Sequence, residues 1–487
     1  MTPPAAESAK TQLVRNSFLL VGIESGSKLL GLIFFILLAR YLGAAELGIY
    51  AAAITWANFF VLLPKFGLEN LVQREVGRSP EEAWAYWRQL GTLKALLTLV
   101  ALLGLALALF LAFRPHWVAM LVLGFFVCGY SFLELLNAFF RAIGRAEFEV
   151  LSRLCFSLSN LAIGIPVLVY DGRLVMVAMA QGVSVFSAVA LALLLLRRLT
   201  GRRVGARPRL TYREALRQAA PFAGIVVALF CSNQMGMLIL SLTATKEAVG
   251  YLAAALRLFD NLTLLPAAIM GAFLPVASQQ FRRSLRAFTL TCRATLKYLF
   301  IMAAPLAVGL FWMARPLTLF LYKEQFLPVV GVFQILSPAL IFSFWNYLGD
   351  NMLIARDQER RLFALAWLAA AIHIGANAVL VPWLSYRGAA WAILATQGSY
   401  CLILGYLLQR YVAPARVLQL IWRPALSAAG MGLLVWAVQD LPFLLVVILG
   451  AMAYFILLRL SGAITPAEMA DLKTVCRRLP QPAAAKS

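Results

Sequence analysis

Long apolar stretches recur from one end of this chain to the other, and they limit the folds open to it more than any other feature. Fourteen can be marked: 17–39, 48–73, 88–113, 117–140, 151–170, 174–196, 217–243, 248–275, 293–314, 328–353, 362–383, 388–411, 417–438 and 442–460. Each is about 20 residues or more, the length a helix needs to cross the hydrocarbon core of a bilayer. None alternates apolar with polar residues as barrel strands do. Only a helix or a closed barrel satisfies its backbone in lipid, so the pattern predicts helices. Composition agrees, with 62% hydrophobic and 13% charged residues and a mean hydropathy of +0.83. That is too little polar surface to cover a soluble globule of this size. The expected fold class is an all-α polytopic membrane protein with about fourteen transmembrane helices. The connecting segments are short, so no soluble domain is expected. The longest linker, 197–216, is basic.

The net charge is +22, from 43 Lys and Arg against 21 Asp and Glu. In a soluble protein this would suggest nucleic acid. Here topology explains it. With the N-terminus inside, 33 basic residues fall on inner segments or toward the inner ends of spans and 7 on outer loops, while Lys28, Lys65 and Arg257 are counted within spans. An excess of Lys and Arg marks the cytoplasmic side, so both termini are expected there and no nucleic-acid partner is needed. The segment RRLTGRRVGARPRLTYREALR (Arg197–Arg217) carries eight Arg and one Glu. It reads as a topology determinant in contact with anionic lipid head groups. The first apolar stretch lacks a small-residue cleavage site and is read as the first span, not a leader. The six cysteines lie mostly inside apolar segments, with no CxxC and no nearby His, so buried thiols are expected and no metal site.

The chain repeats itself. Gly48 to Pro64 reads GIYAAAITWANFFVLLP, and Gly250 to Pro266 reads GYLAAALRLFDNLTLLP, identical at seven of seventeen positions with an offset of 202 residues. These are the second and eighth stretches. An even separation of six spans makes both run in the same direction, which implies two parallel six-helix repeats related by an axis along the membrane normal. The expected organisation is a six-helix lobe over 1–196, a basic cytoplasmic linker over 197–216, a second six-helix lobe over 217–411, and two extra helices with a tail over 412–487.

An ionisable group inside a span costs about 2.5–3.5 kcal/mol on insertion scales and usually faces a cavity or a partner. Few exist here. Glu24 and Lys28 share a face of the first span, Lys65 and Glu69 of the second, and Arg257 and Asp260 of the eighth. Glu134 stands on the fourth span, expected to bond a neighbouring helix, and His373 and Asn377 on the eleventh. Each pair could be a self-neutralising structural ion pair. The repeat favours the other reading, in which the first, second and eighth helices turn cations toward a water-filled cavity that admits an anionic substrate. Signs of an enzyme are missing: there is no nucleotide-binding glycine-rich loop, no HExxH and no metal-spaced cluster. A transporter without a catalytic motif is expected.

The segments LARYLGAAELGIYAAA (Leu38–Ala53) and KFGLENLVQREVGR (Lys65–Arg78) resemble the polysaccharide-biosynthesis flippases. So does AVGYLAAALRLFDNLTLLP, followed by FLPVASQQF, in the second half. These oligosaccharide translocases belong to the superfamily that includes the lipid II flippase and the drug/cation antiporters. The resemblance spans essentially the whole chain and implies a MATE-like fold, two lobes around a central cavity that opens alternately to either side. The implied cargo is a polyprenyl-pyrophosphate-linked oligosaccharide, moved across the bacterial inner membrane for surface polysaccharide, with polymerase or assembly proteins as partners. By resemblance, Lys28 in SKLLG and Arg257 in AAALRL are cavity cations. Arg40 matches the Arg of the LARYLG motif. Two positions depart from the family, which often has Asp where this chain has Lys65, and Asp in the seventh span where it has Ser232 to Met235. A coupling ion, H+ or Na+, is therefore left open, with Glu24 the next carboxylate to consider. No cofactor is implied. The expected cavity residues are Lys28, Arg257, Lys65, Glu24, Asp260, Asn58, Asn233 and Gln234, the last three and Asn377 for the sugar. Two alternatives stand beside this reading: a drug or small-cation antiporter of the same superfamily, and a membrane ligase or polymerase. The short outer loops disfavour the second.

Overall fold

A computed structural model describes residues 3–200, 210–409, 411 and 414–463, with side chains from Gly26 onward apart from 414–416. The side chain of Glu24 and residues 201–209 of the basic linker lie outside the described residues. Those described form helices, with no strand. The first half carries α1 (Pro3–Lys65), α2 (Leu68–Arg78), α3 (Ala83–Ala112), α4 (Trp117–Ala142), α5 (Ala146–Tyr170), α6 (Leu174–Thr200), α7 (Tyr212–Thr243) and α8 (Lys246–Leu262). Then come α9 (Leu264–Arg283), α10 (Leu285–Trp312), α11 (Ala314–Tyr322), α12 (Val329–Ile354), α13 (Glu359–Leu408), α14 (Pro414–Ala437) and α15 (Phe443–Leu460).

Twelve segments among the described residues are long and apolar enough to cross a membrane. Two of them, Gly26–Arg78 and Glu359–Leu408, run for 53 and 50 residues. Straight helices of that length would be roughly 80 and 75 Å long, more than twice the thickness of the hydrocarbon core. Both are broken. The backbone of α1 leaves helical geometry at Gly43 (φ 80, ψ 178), and that of α13 at Ser385 (φ 52, ψ −132). Lys28 and Asn58 lie on either side of the first break and line one cavity, whereas a straight helix would hold them about 45 Å apart. The chain therefore doubles back at Gly43, whose left-handed φ is open to glycine at little cost. In α13, Gly388 lies against the Leu380 carbonyl, which a continuous helix would hold about 12 Å away. Each of the two is thus a pair of helices, which brings the twelve segments to about the fourteen expected.

The second stretch ends earlier than its hydropathy suggests. Phe66 and Gly67 both have positive φ (29° and 70°), so α1 stops at Lys65 and a separate amphipathic helix, α2, begins at Leu68. Its Leu68, Leu71, Val72 and Val76 are buried. Lys65 and Glu69 are therefore not neighbours on one helix, contrary to the spacing argument. Local signals are clearer at α7, where Thr211 and Glu214 form a reciprocal capping box that satisfies two free amide donors.

The described residues pack as two compact units. The first gathers Met1–Ala268, Leu321–Val332 and Glu359–Thr396, the second Ile269–Phe320, Phe333–Gln358 and residues from Gln397 onward. In the first, the core joins Leu68, Leu71 and Val72 of α2 to Leu135, Phe139 and Phe140 of α4 and to Ala188 and Ala192 of α6. In the second, α10, α14 and α15 meet around Met431, Val435 and Tyr454, and the Tyr454 hydroxyl donates to the Ile301 carbonyl at 2.8 Å. Leu96, Leu99, Leu103, Leu107 and Leu111 of α3 are exposed at the three- and four-residue spacing of one helix face. Such a stripe is what a lipid-facing surface requires.

The 202-residue repeat has a physical counterpart in the first unit. The C-terminal arm of α1 crosses α8 with backbone on backbone. A Cβ at Gly48 would collide with the Lys246 carbonyl, and one at Gly250 with the Ala44 carbonyl. Ala44 and Lys246 are themselves 202 residues apart, so the two contacts are the same contact exchanged between the repeats. Only glycine permits this approach, which explains why both repeats carry it.

Candidate functional site

The first unit encloses a cavity of about 510 Å³ whose walls come from α1, α4, α5, α6, α7 and α8. Lys28, Asn58, Lys65, Gln234, Arg257 and Asp260 line it. Local geometry brings Lys28 and Arg257 together. Lys28, Gly31 and Phe35 follow one another along one face of the N-terminal arm of α1. A Cβ at Gly31 would lie 3.0 Å from Arg257 Nη2, and the guanidinium stands 5.5 Å from the centre of the Phe35 ring, within cation–π range. The glycine of SKLLG therefore makes room for the cation of α8. Arg257 Nε is buried and has no hydrogen-bond partner. Asp260, one turn further on, lies in the field of Arg257.

A second set of charges sits on the α2–α4 side. Lys65 Nζ is 2.8 Å from Glu134 Oε2, so its partner is on α4 and not at Glu69. Glu69 and Lys94 share the same field. Lys94, six residues into the third apolar stretch and one of the basic residues toward the inner end of a span, is fully buried on α3, 5.7 Å from the Phe132 ring. Two lysines and two carboxylates thus balance one another. Beside them Glu149 accepts from Arg141 at 2.5 Å and from Arg153 at 3.0 Å. Arg153 also reaches the cavity wall.

Among the described residues, two of those expected for the cargo, Asn233 and Asn377, are not on the wall. Asn233 is exposed, and its amide donates back to the Leu229 carbonyl of its own helix at 2.7 Å; its neighbour Gln234 is the residue that faces the cavity. Glu24 has no described side chain. Asn377 donates to the His373 carbonyl at 2.8 Å, and His373 Nδ1 lies 3.2 Å from Thr396 Oγ1. Both are buried off the cavity wall, and Asn377 Oδ1 has no hydrogen-bond partner there. Arg40 of the LARYLG motif donates from Nε to the Leu321 carbonyl at 2.7 Å, at the C-terminal end of α11. Sequence reasoning missed Tyr50, Asn160 and Gln181, which line the cavity. The available signal was an amide inside an apolar stretch, SLSN at 157–160 and AMAQ at 178–181. Among the described residues no group of three or more His, Cys, Asp or Glu is placed to hold a metal ion.

The same many-helix fold is found in solved structures. The chain is similar to the lipid II flippase MurJ in an inward closed conformation, with a TM-score of 0.69 and 16% identity, covering 91% of this chain and 99% of that one. It is also similar to an inward-facing multidrug resistance MATE family transporter of the MOP superfamily (TM-score 0.58, 16% identity, 82% and 94% covered). A MOP superfamily transporter from Pyrococcus furiosus gives a TM-score of 0.53 at 16% identity, with 84% and 95% covered. No curated protein sequence matches the chain. The model of the polysaccharide biosynthesis protein family matches residues 13–281, more than half of the chain, and the chain belongs to that family. It is a multi-pass membrane protein with the MurJ/MATE fold.

Proposed function

We propose that this protein moves a polyprenyl-pyrophosphate-linked oligosaccharide from the cytoplasmic to the outer leaflet of the bacterial inner membrane by alternating access, for synthesis of surface polysaccharide. The observation that carries the reading is the convergence of Lys28 and Arg257, from α1 and α8, on one cavity. A pyrophosphate diester bears about two negative charges and needs compensation once it leaves water. Arg257 offers a planar fork and Lys28 a flexible point charge. With Lys65 paired to Glu134, the charged groups left on the wall are Lys28, Arg153 and Arg257 against Asp260, so the wall carries more positive than negative groups. A cavity of this sign is poorly suited to a cationic drug, which sets the antiporter reading second. The repeats over 1–196 and 217–411 would rock about the carrier, with the polyprenyl chain left in lipid. Both termini would be cytoplasmic, with anionic lipid at the basic loops and a polymerase or assembly protein as downstream partner.

The test uses Lys28→Gln, Arg257→Gln and the double variant in proteoliposomes loaded with lipid-linked oligosaccharide, alongside membrane abundance. One charged hydrogen bond is worth about 1.5–3 kcal/mol, so each single variant should lose about tenfold to hundredfold in transport at near-normal abundance. Wild-type transport by a stably inserted double variant would falsify the cationic-cavity mechanism.

A further inference from the structure

The part of the cavity wall built from α5 and α6 carries, besides Arg153, two neutral amide side chains. Asn160 of α5 and Gln181 of α6 are 6% and 2% exposed, and both line the cavity. The carbonyl oxygens of both side chains, Asn160 Oδ1 and Gln181 Oε1, are buried without a hydrogen-bond partner. Gln181 donates its amide to the Tyr50 hydroxyl at 3.1 Å, and its oxygen is the end without a partner. Buried acceptors without partners are uncommon in folded proteins, because each forgoes the hydrogen bond it had in water. Two of them on one wall call for donors from a ligand. Hydroxyl groups are such donors, and phosphate oxygens are not.

Aromatic faces adjoin these acceptors. Phe126 and Phe156 stack at 6.0 Å with an interplanar angle of 20°, and Tyr130 packs edge-on against Phe156 at 5.4 Å. All three are half-buried cavity residues. A flat apolar face beside hydrogen-bond acceptors matches a pyranose, which presents axial C–H groups on one side and hydroxyls around its rim.

The position relative to the cations is also constrained. Asn160 Oδ1 and the Phe34 ring both lie against Gly164. Phe34 adjoins Phe35, over whose ring Arg257 stands. Tyr50, the partner of Gln181, lies in the field of Arg257. The acceptors therefore begin within one side chain of the cation site. In a glycosyl pyrophosphate the first sugar is bonded directly to a phosphate oxygen, so a subsite for it must adjoin the phosphate site.

We propose that Asn160, Gln181 and the Phe126–Tyr130–Phe156 face form a subsite for the first, neutral sugar of the lipid-linked cargo. Asn160 Oδ1 and Gln181 Oε1 accept its hydroxyls, and the aromatic face covers its ring. The proposal rests on the pyrophosphate reading above, and it moves sugar recognition from Asn58, Asn233, Gln234 and Asn377 to α4–α6.

The experiment measures binding to purified protein in detergent of undecaprenyl pyrophosphate and of the same lipid bearing glucose or galactose. The protein forms are wild type, Asn160→Ala, Gln181→Leu and Phe156→Leu. Wild type should bind one sugar-bearing lipid about tenfold more tightly than the bare lipid, the scale of two net hydrogen bonds. Each variant should lose most of that gain while holding the bare lipid as wild type does. Failure of wild type to bind the bare lipid would overturn the pyrophosphate reading itself. Binding of the bare lipid with no gain from either sugar, or a gain retained in all three variants, would overturn the subsite alone. Equal loss of both lipids by the variants, with a lowered unfolding temperature, would also overturn it, since the residues would then serve the fold.

Discussion

Lys65 and Glu134 offer a test of how the charged interior is held together. The contact is 2.8 Å, and the side chains are 28% and 26% exposed. At an effective dielectric of 20, unit charges at that distance attract by about 6 kcal/mol before desolvation is subtracted. Desolvation takes back most of this, so a buried pair is worth little against apolar residues of the same volume, while removing one partner costs about 3–5 kcal/mol. Lys65→Met leaves Glu134 and Glu69 with Lys94 alone. Glu134→Leu leaves Lys65 and Lys94 with Glu69 alone. The remaining opposite charge and the partial exposure soften both, so each single variant should cost about 3 kcal/mol, the low end of that range. The double variant Lys65→Met/Glu134→Leu should lie within about 1 kcal/mol of wild type, giving a coupling of several kcal/mol. Equilibrium unfolding in mixed micelles, followed by tryptophan fluorescence, reads all four corners. Additive losses, with a coupling below about 0.5 kcal/mol, would refute the pairing and return Lys65 to the cavity as a free cation.

Three further outcomes are expected. Gly31→Leu should preserve membrane abundance and cut transport by about tenfold or more, because the new side chain displaces the Arg257 guanidinium and with it a charged contact; unchanged transport would mean that Arg257 works from elsewhere. Gly250→Val should destabilise by about 3 kcal/mol or more, since its Cβ meets the Ala44 backbone, which cannot yield as a side chain can; Gly48→Val should match it within about 1 kcal/mol in the same unfolding assay, and a large difference between the two would break the symmetry of the crossing. In a background without native cysteines, Arg213→Cys and Arg387→Cys should react with an impermeant thiol reagent from opposite sides of the membrane, Arg387→Cys from outside, and labelling from one side would overturn the orientation read from the basic residues.

Much of the fold was legible because a bilayer leaves few choices. Stretches long and apolar enough to span can only be helices, and their number followed from hydropathy. The repeat of Gly48 and Gly250 was legible because a backbone-to-backbone crossing tolerates no other residue, so the sequence preserves the contact in both halves. Lys28 and Arg257 stood out for a related reason: a charge within a span needs a purpose, and few were present.

Which way each helix faces was not legible. In a soluble protein the polar face of a helix points to water and orients it. In a membrane both the lipid-facing and the core-facing sides are apolar, and packing is decided by small residues and shape. Nothing in the sequence marked Asn233 as outward and Gln234 as inward, or set Asn160 and Gln181 on the cavity wall. Lys94 looked like an inner-end charge because it lies near the end of its stretch, yet the fold buries it with Glu69 and Glu134. Lys65 pairs with Glu134, not Glu69, because two positive φ angles at Phe66 and Gly67 end the helix before Glu69 can align. The sequence by itself determined the solvent, the helix count, the repeat and the few charges within the spans. The tertiary structure decided their partners, because only the packing of α1 against α4 and α8 fixes which side chains share the interior.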